Sequence, residues 1–287
     1  MANMSGLYLV NNPANINTNF NLSGALQHIL DNANDGDTYY IVLGTDETIP
    51  PMSFKYSNEN VKITILGDGQ QRTINLASNG SMFTIGKGVT LTLGENIKLQ
   101  GHNENNKPLI EIHPCSTLIM NDGAMICGNN NGSFNGGGVS IKGGDFIMYG
   151  GTISGNAADY GGGIYIENGS FTMHGGIICK NISTTCGGGI YVHAGIVTMH
   201  NGTICENNAT THGGGVHVYA GDFLKTPIGS GQNSGDICNN NTAGRSGEDV
   251  YRESAPILYR NTNVGQTEKI DTRTGKGLSA NGSAPFI

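Results

Sequence analysis

Gly-Gly-Gly triplets begin at Gly136, Gly161, Gly187 and Gly213, at successive intervals of 25, 26 and 26 residues. A period in the twenties, filled with short apolar runs, constrains a chain to a solenoid. One such unit is too small to bury a core alone, so it must stack on its neighbours. The first unit reads GGGVSIKGGDFIMYGGTISGN and the second GGGIYIENGSFTMHGGIICKN. The third reads GGGIYVHAGIVTMHNGTICEN, and the fourth opens GGGVHVYAGDFLK. Three runs recur in each full unit, exemplified by Ile164-Tyr165-Ile166, Phe171-Thr172-Met173 and the segment around Ile178. Alternation over three to five residues is a strand pattern, and the glycines between the runs supply corners with positive φ.

Three strands and about 25 residues per turn describe an all-β, right-handed, single-stranded parallel β-helix. Equivalent residues of successive turns then lie about 4.8 Å apart. The expected inward columns are Ile164, Ile190 and Val216; Phe146, Phe171, Val197 and Phe223; and Met120, Met148, Met173 and Met199. The methionines are read as irregular core filling rather than as metal or redox groups. A polar column is expected in Ile-x-x-Asn, at Asn129, Asn156, Asn181 and Asn207, with Asn240 joining after an insertion. It is read as a corner ladder, because asparagine tolerates left-handed backbone and bonds neighbouring main chain.

The domain reading is an N-terminal segment and capping helix over 1–36, the β-helix over 37–255 with eight or nine turns, and a C-terminal cap and tail over 256–287. Leu22, Ala25, Leu26, Ile29, Leu30 and Ala33 share one helical face, capped by Asn21 or Ser23 and stopped at Asn34-Asp35-Gly36-Asp37. A cap is required because an open end strand invites pairing with another chain. Net charge is −7 and 13% of residues are charged, with no basic stripe, which argues against nucleic acid. No apolar run reaches the length of a membrane-spanning helix, and no signal peptide is read.

Cys127, Cys179, Cys205 and Cys238 occupy one repeat position, with Ser154 in the intervening turn; Cys115 and Cys186 lie elsewhere. The spacing does not match a zinc site. Two readings stand, small side chains filling a tight column, or oxidation of Cys179 with Cys205, for which an in-register stack has poor geometry.

The repeat carries a resemblance. Gly161-Gly162-Gly163-Ile164-Tyr165, followed by Ile178-x-x-Asn181, resembles the Gly-Gly-Ala-Ile and Phe-x-x-Asn repeats of polymorphic outer membrane proteins. Ile stands here where that family has Phe. More widely, the chain resembles bacterial right-handed β-helix proteins of the pectin-lyase-like superfamily, most clearly over Ser116 to Val250. Ile63-Thr64-Ile65-Leu66-Gly67-Asp68-Gly69 is similar to an early turn of that superfamily. The resemblance implies an extracellular or bacterial-surface location and a role in adhesion.

The expectation is therefore a non-enzymatic binding protein whose partner is a glycan or a host or cell-surface protein. The alternative is a polysaccharide lyase or glycoside hydrolase. Such enzymes need convergent acids with a basic partner or calcium. The acids here are scattered: Asp145 and Asp222 share a register three turns apart, and Glu95 with Asp122 is the best adjacent pair. A late cluster of Asp236, Glu248, Asp249, Arg245 and Arg252 is the remaining catalytic candidate. No catalytic residue, metal ligand or cofactor is assigned. The candidate binding residues are outward columns, Tyr165, Tyr191, His217 and Tyr251, beside Glu167, His193 and Tyr219. Tyr149, His174 and His200 form a further column. Such rows either stack sugar rings or stabilise the sheet by cross-strand packing.

Overall fold

The computed structural model describes residues 6–9, 21–55, 60–226, 235–237, 240–247, 249–252, 257–261 and 266–270. They form a parallel β-helix of about seven turns, with one short helix at its N-terminal end. Eight strands stack in the second sheet, from Glu47–Ile49 to Asp236–Ile237. Eight levels enclose seven full laps, a rod of about 34 Å at the usual strand spacing. The expected eight or nine turns were too many because laps lengthen away from the triplet repeats. Asn75 and Glu47, bonded between adjacent turns, are 28 residues apart, and Asn207 and Asn241 are 34 apart.

The register follows the repeat. Ile164 pairs with Ile190 and Ile190 with Val216, while Phe146, Phe171, Val197 and Phe223 follow one another. The Phe146 and Phe171 rings meet at 4.9 Å. Met120, Met148, Met173 and Met199 stack fully buried, and Lys225 occupies the next position, also buried. Each methionine tip reaches under the following turn. A Cβ on Gly176 would lie 2.5 Å from Met148 Cε, and one on Gly202 would lie 2.5 Å from Met173 Cε. The glycines after each methionine therefore leave room for the side chain of the turn before.

The C-terminal turns carry a fourth short strand that the alternation did not disclose. Ala157–Tyr160, Ile182–Cys186, Asn208–Ala209 and Thr242–Ala243 pair into a separate parallel sheet. Their inward residues, Ala158, Ser183 and Ala209, are small and buried. The triplets join this sheet to the first. Gly187 has φ +69, and a Cβ on Gly188 would lie 2.4 Å from the Asn208 carbonyl and 2.5 Å from that of Gly214. Only glycine lets successive turns close to this distance.

The asparagine ladder ends at Asn241, not Asn240, which is exposed. One extra residue precedes the corner in the last turn. Asn105 Nδ2 donates to Asn129 Oδ1, and the Asn129 N–H to Asn156 Oδ1. Asn156 and Asn181 each donate through both N–H and Nδ2 to the Oδ1 above, and Asn207 does so to Asn241. Asn241 Nδ2 donates at 3.0 Å to the carboxylate of buried Asp249. The links share one direction, and their donors converge on an anion.

The helix Leu22–Asn32 starts on Asn21, whose side chain accepts from the Gly24 N–H at 2.9 Å. Leu22, Ala25, Leu26 and Ile29 are buried against the first turn, with Leu30 and Ala33 packed beside them. Gly6–Leu9 pairs antiparallel with Thr38–Leu43 and covers the edge of the first sheet. At the other end Ile257–Asn261 and Gln266–Ile270 form an antiparallel hairpin. The rest of the expected C-terminal cap lies outside the described residues, as does Pro227 to Ser234 of the last long loop.

Candidate functional site

The column of Tyr165, Tyr191, His217 and Tyr251 forms in register. Tyr165 and Tyr191 stack at 5.5 Å, Tyr191 and His217 at 4.9 Å, and His217 meets Tyr251 at 5.1 Å. It is not an open face. Tyr165, Tyr191 and His217 are 8%, 7% and 2% exposed. The fourth strands fold over them: Tyr160 meets Tyr191 edge-on at 5.0 Å, Cys186 joins the same cluster, and His212 stacks on Tyr251 at 4.5 Å. The expectation of an exposed sugar platform at Tyr165, Tyr191 and His217 is corrected. Alternation tells inward from outward, and here the outward side is covered by a second layer of chain. Burial, with smaller effects from Glu167 and from a bond to Asn135, pushes the Tyr165 phenol up. Burial, with His212 nearby, lowers His217 to about 4, so its ring is neutral at pH 7.

The same column continues down to Ser140 and Glu111. Glu111 is buried, and its Oε2 lies 3.0 Å from Lys142 Nζ and 3.3 Å from His113 Nε2. Burial raises this carboxyl, but Lys142, His113 and Lys107 together outweigh it and hold the group below its usual range.

Two other ring rows are open to solvent. Glu167, His193 and Tyr219 follow one another at the corner after the first strand column, all exposed, with His193 and Tyr219 stacked at 5.3 Å. Tyr149, His174 and His200 form the second row, at 5.0 and 4.8 Å. His200 Nδ1 lies 2.9 Å from the Thr226 carbonyl, which fixes the proton there and leaves Nε2 as an acceptor. Burial and then His200 lower the pKa of His174. The His174 and His200 planes lie within 17° of parallel. Their nitrogen lone pairs run side by side and do not converge on a common ion. Among the described residues no group of three or more His, Cys, Asp or Glu side chains is placed to hold a metal.

Between the rows lies a strip of small residues: Ala194 and Ala220 exposed, Ser170, Thr172 and Thr198 half-buried, with exposed Ile196 among them. The strip runs along the rod axis with rings on both sides. Within a stack each ring covers its neighbour's face, so the rows present chiefly ring edges, imidazole nitrogens and phenol hydroxyls.

The charged candidates do not gather. Asp145 accepts from the Ser170 hydroxyl at 2.5 Å, and Asp222 pairs with Arg252 at 3.3 Å, three turns away. In the late cluster Asp249 ends the asparagine ladder, Arg245 is exposed and Glu248 lies outside the described residues. Cys127, Cys179 and Cys205 are corrected too: they stand on the outward side of the second sheet, half-buried, and fill no internal column. Cys238 lies outside the described residues. Compared with family models, with curated proteins and with solved structures, the chain matches none.

Proposed function

We propose that this protein is a non-enzymatic binding rod that holds an extended glycan strand along its axis, and that it works outside the cell or at a bacterial surface. The observation that carries this reading is the strip between the two exposed ring rows. Its floor of Ala, Ser and Thr gives a chain-like ligand close access to the sheet. Its borders, His193 and Tyr219 on one side and Tyr149, His174 and His200 on the other, supply polar edges spaced at one turn each. A polymer with repeated hydroxyls can meet such a ladder many times, so modest contacts add through repetition. The location rests on the resemblance of the repeats to surface proteins. The carbohydrate-active alternative draws nothing from the late cluster, whose Asp249 and Arg252 are engaged elsewhere.

The test is a glycan array with the full chain and two variants. His193→Ala with Tyr219→Ala, and His174→Ala with His200→Ala, are each expected to weaken the best ligand at least 10-fold without moving the melting temperature of the rod by more than about 3 °C. Equal binding by both variants and the parent would overturn the assignment.

A further inference from the structure

The second sheet carries a feature that the binding strip does not use. Cys179 and Cys205 pair in register on the adjacent parallel strands Ile177–Cys179 and Thr203–Cys205. Ile178 and Ile204 between them face the core, so both sulfurs face outward, half-buried, and neither forms a disulfide. Adjacent strands lie about 4.8 Å apart, and in-register Cβ atoms begin at about that separation. A disulfide needs Cβ atoms about 3.8 Å apart and would pull the turns together. A metal–sulfur bond is about 2.3 Å long, so a linear sulfur–metal–sulfur unit spans about 4.6 Å and fits the strand spacing as it stands.

A second observation marks the same two turns. The corner residue after the column is left-handed in every turn. It is Gly128 and Gly155 at φ 66 and 64, then Lys180 and Glu206, each at φ 56. A side chain in that conformation costs about 1–2 kcal/mol, and strain of this kind collects where a site needs the residue. Lys180 Nζ lies 3.6 Å from Glu206 Oε2, directly beside the thiol pair.

We propose that Cys179 and Cys205 form a two-thiolate site for a soft, two-coordinate monovalent cation, with copper(I) as the physiological case. Two thiols and one monovalent ion give a bis-thiolate complex of charge −1 and release two protons. The Lys180 ammonium sits where it offsets that charge. Soft thiolates select copper(I) over the harder divalent ions. Cys127 is two turns away from Cys179, about 10 Å at the strand spacing, beyond the span of one linear ion. Ser154 holds the register position between them.

The test is anaerobic copper(I) titration of the full chain against a chromogenic copper(I) chelator. One tight equivalent is expected. Cys179→Ser and Cys205→Ser should each weaken it at least 100-fold, and the double variant no further. Cys127→Ser should leave it intact. Serine already stands in this column at Ser154, so the variants keep the fold, and a thermal melt checks that they do. A tight equivalent that survives either single substitution, or that is lost on Cys127→Ser, overturns the proposal.

Discussion

At the scale of single residues, the ladder and the buried histidine set the sharpest expectations. Asn181 accepts from the Asn156 N–H and Nδ2, and donates to Ile153 and Asn207. Asn181→Leu orphans several buried groups at about 1–3 kcal/mol each. A loss of at least about 3 kcal/mol should appear in urea unfolding followed by circular dichroism. Asp249→Asn keeps an acceptor for Asn241 and is expected to cost less than Asp249→Ala. His217 stacks between Tyr191 and Tyr251, with His212 and Cys186 in the same layer, and its folded pKa of about 4 lies below the model value of 6.5. A histidine with a depressed folded pKa binds its proton more readily when unfolded. Stability is therefore full above about pH 6.5 and falls as pH drops toward 4, by roughly 3 kcal/mol over that range. His174 contributes in the same direction. Comparing unfolding of the parent and His217→Phe at pH 7 and pH 4.5 isolates the His217 share. An unchanged slope in the variant would refute it.

At the scale of elements, the corners and triplets decide how closely turns approach. Lys180→Gly and Glu206→Gly relieve left-handed strain and should each raise stability by up to about 1 kcal/mol, since glycine's entropy offsets part of the gain. Gly155→Ala tests the same corner in reverse: nothing lies within 4 Å of a Cβ there, so a loss of about 1 kcal/mol would report backbone strain alone. Gly188→Ala drives a methyl into two carbonyls and should cost about 3 kcal/mol in denaturant midpoint measurements. The inward columns were legible in the sequence because one period fixes every equivalent position. The cover over Tyr165 and Tyr191 was not. It comes from Ala157–Tyr160 and Ile182–Cys186, segments too short and too mixed to show alternation. Asn241 was missed for a related reason: one inserted residue shifts the Ile-x-x-Asn spacing, and only hydrogen bonding identifies the rung. The exposed rows at His193 and His174 were legible as columns. Their separation by a strip of small residues required knowing that Ile164–Met173 runs straight across a corner.

At the scale of the whole molecule, contacts join each turn mainly to its two neighbours, so stability is a sum over turns and interfaces. The N-terminal helix protects one end through Leu26 and Ile29, both fully buried. Leu26→Asp with Ile29→Asp should release amide protection in Thr38–Leu43 and Glu47–Ile49, while Ile190–Val192 stays protected, as read by hydrogen exchange. Uniform loss of protection would show a single cooperative body instead. The same double substitution bares an edge and is expected to promote self-association in light scattering.

The one-way run of amides from Asn105 to Asp249 has an evolutionary corollary. An interior rung takes from below what it gives above, so a duplicated or deleted lap leaves the chain of donors unbroken. Only the two termini of that run carry information about where it starts and stops. A gene could therefore lengthen this protein in whole-lap increments without redesigning any join, and each added lap would bring its own portion of exterior with it.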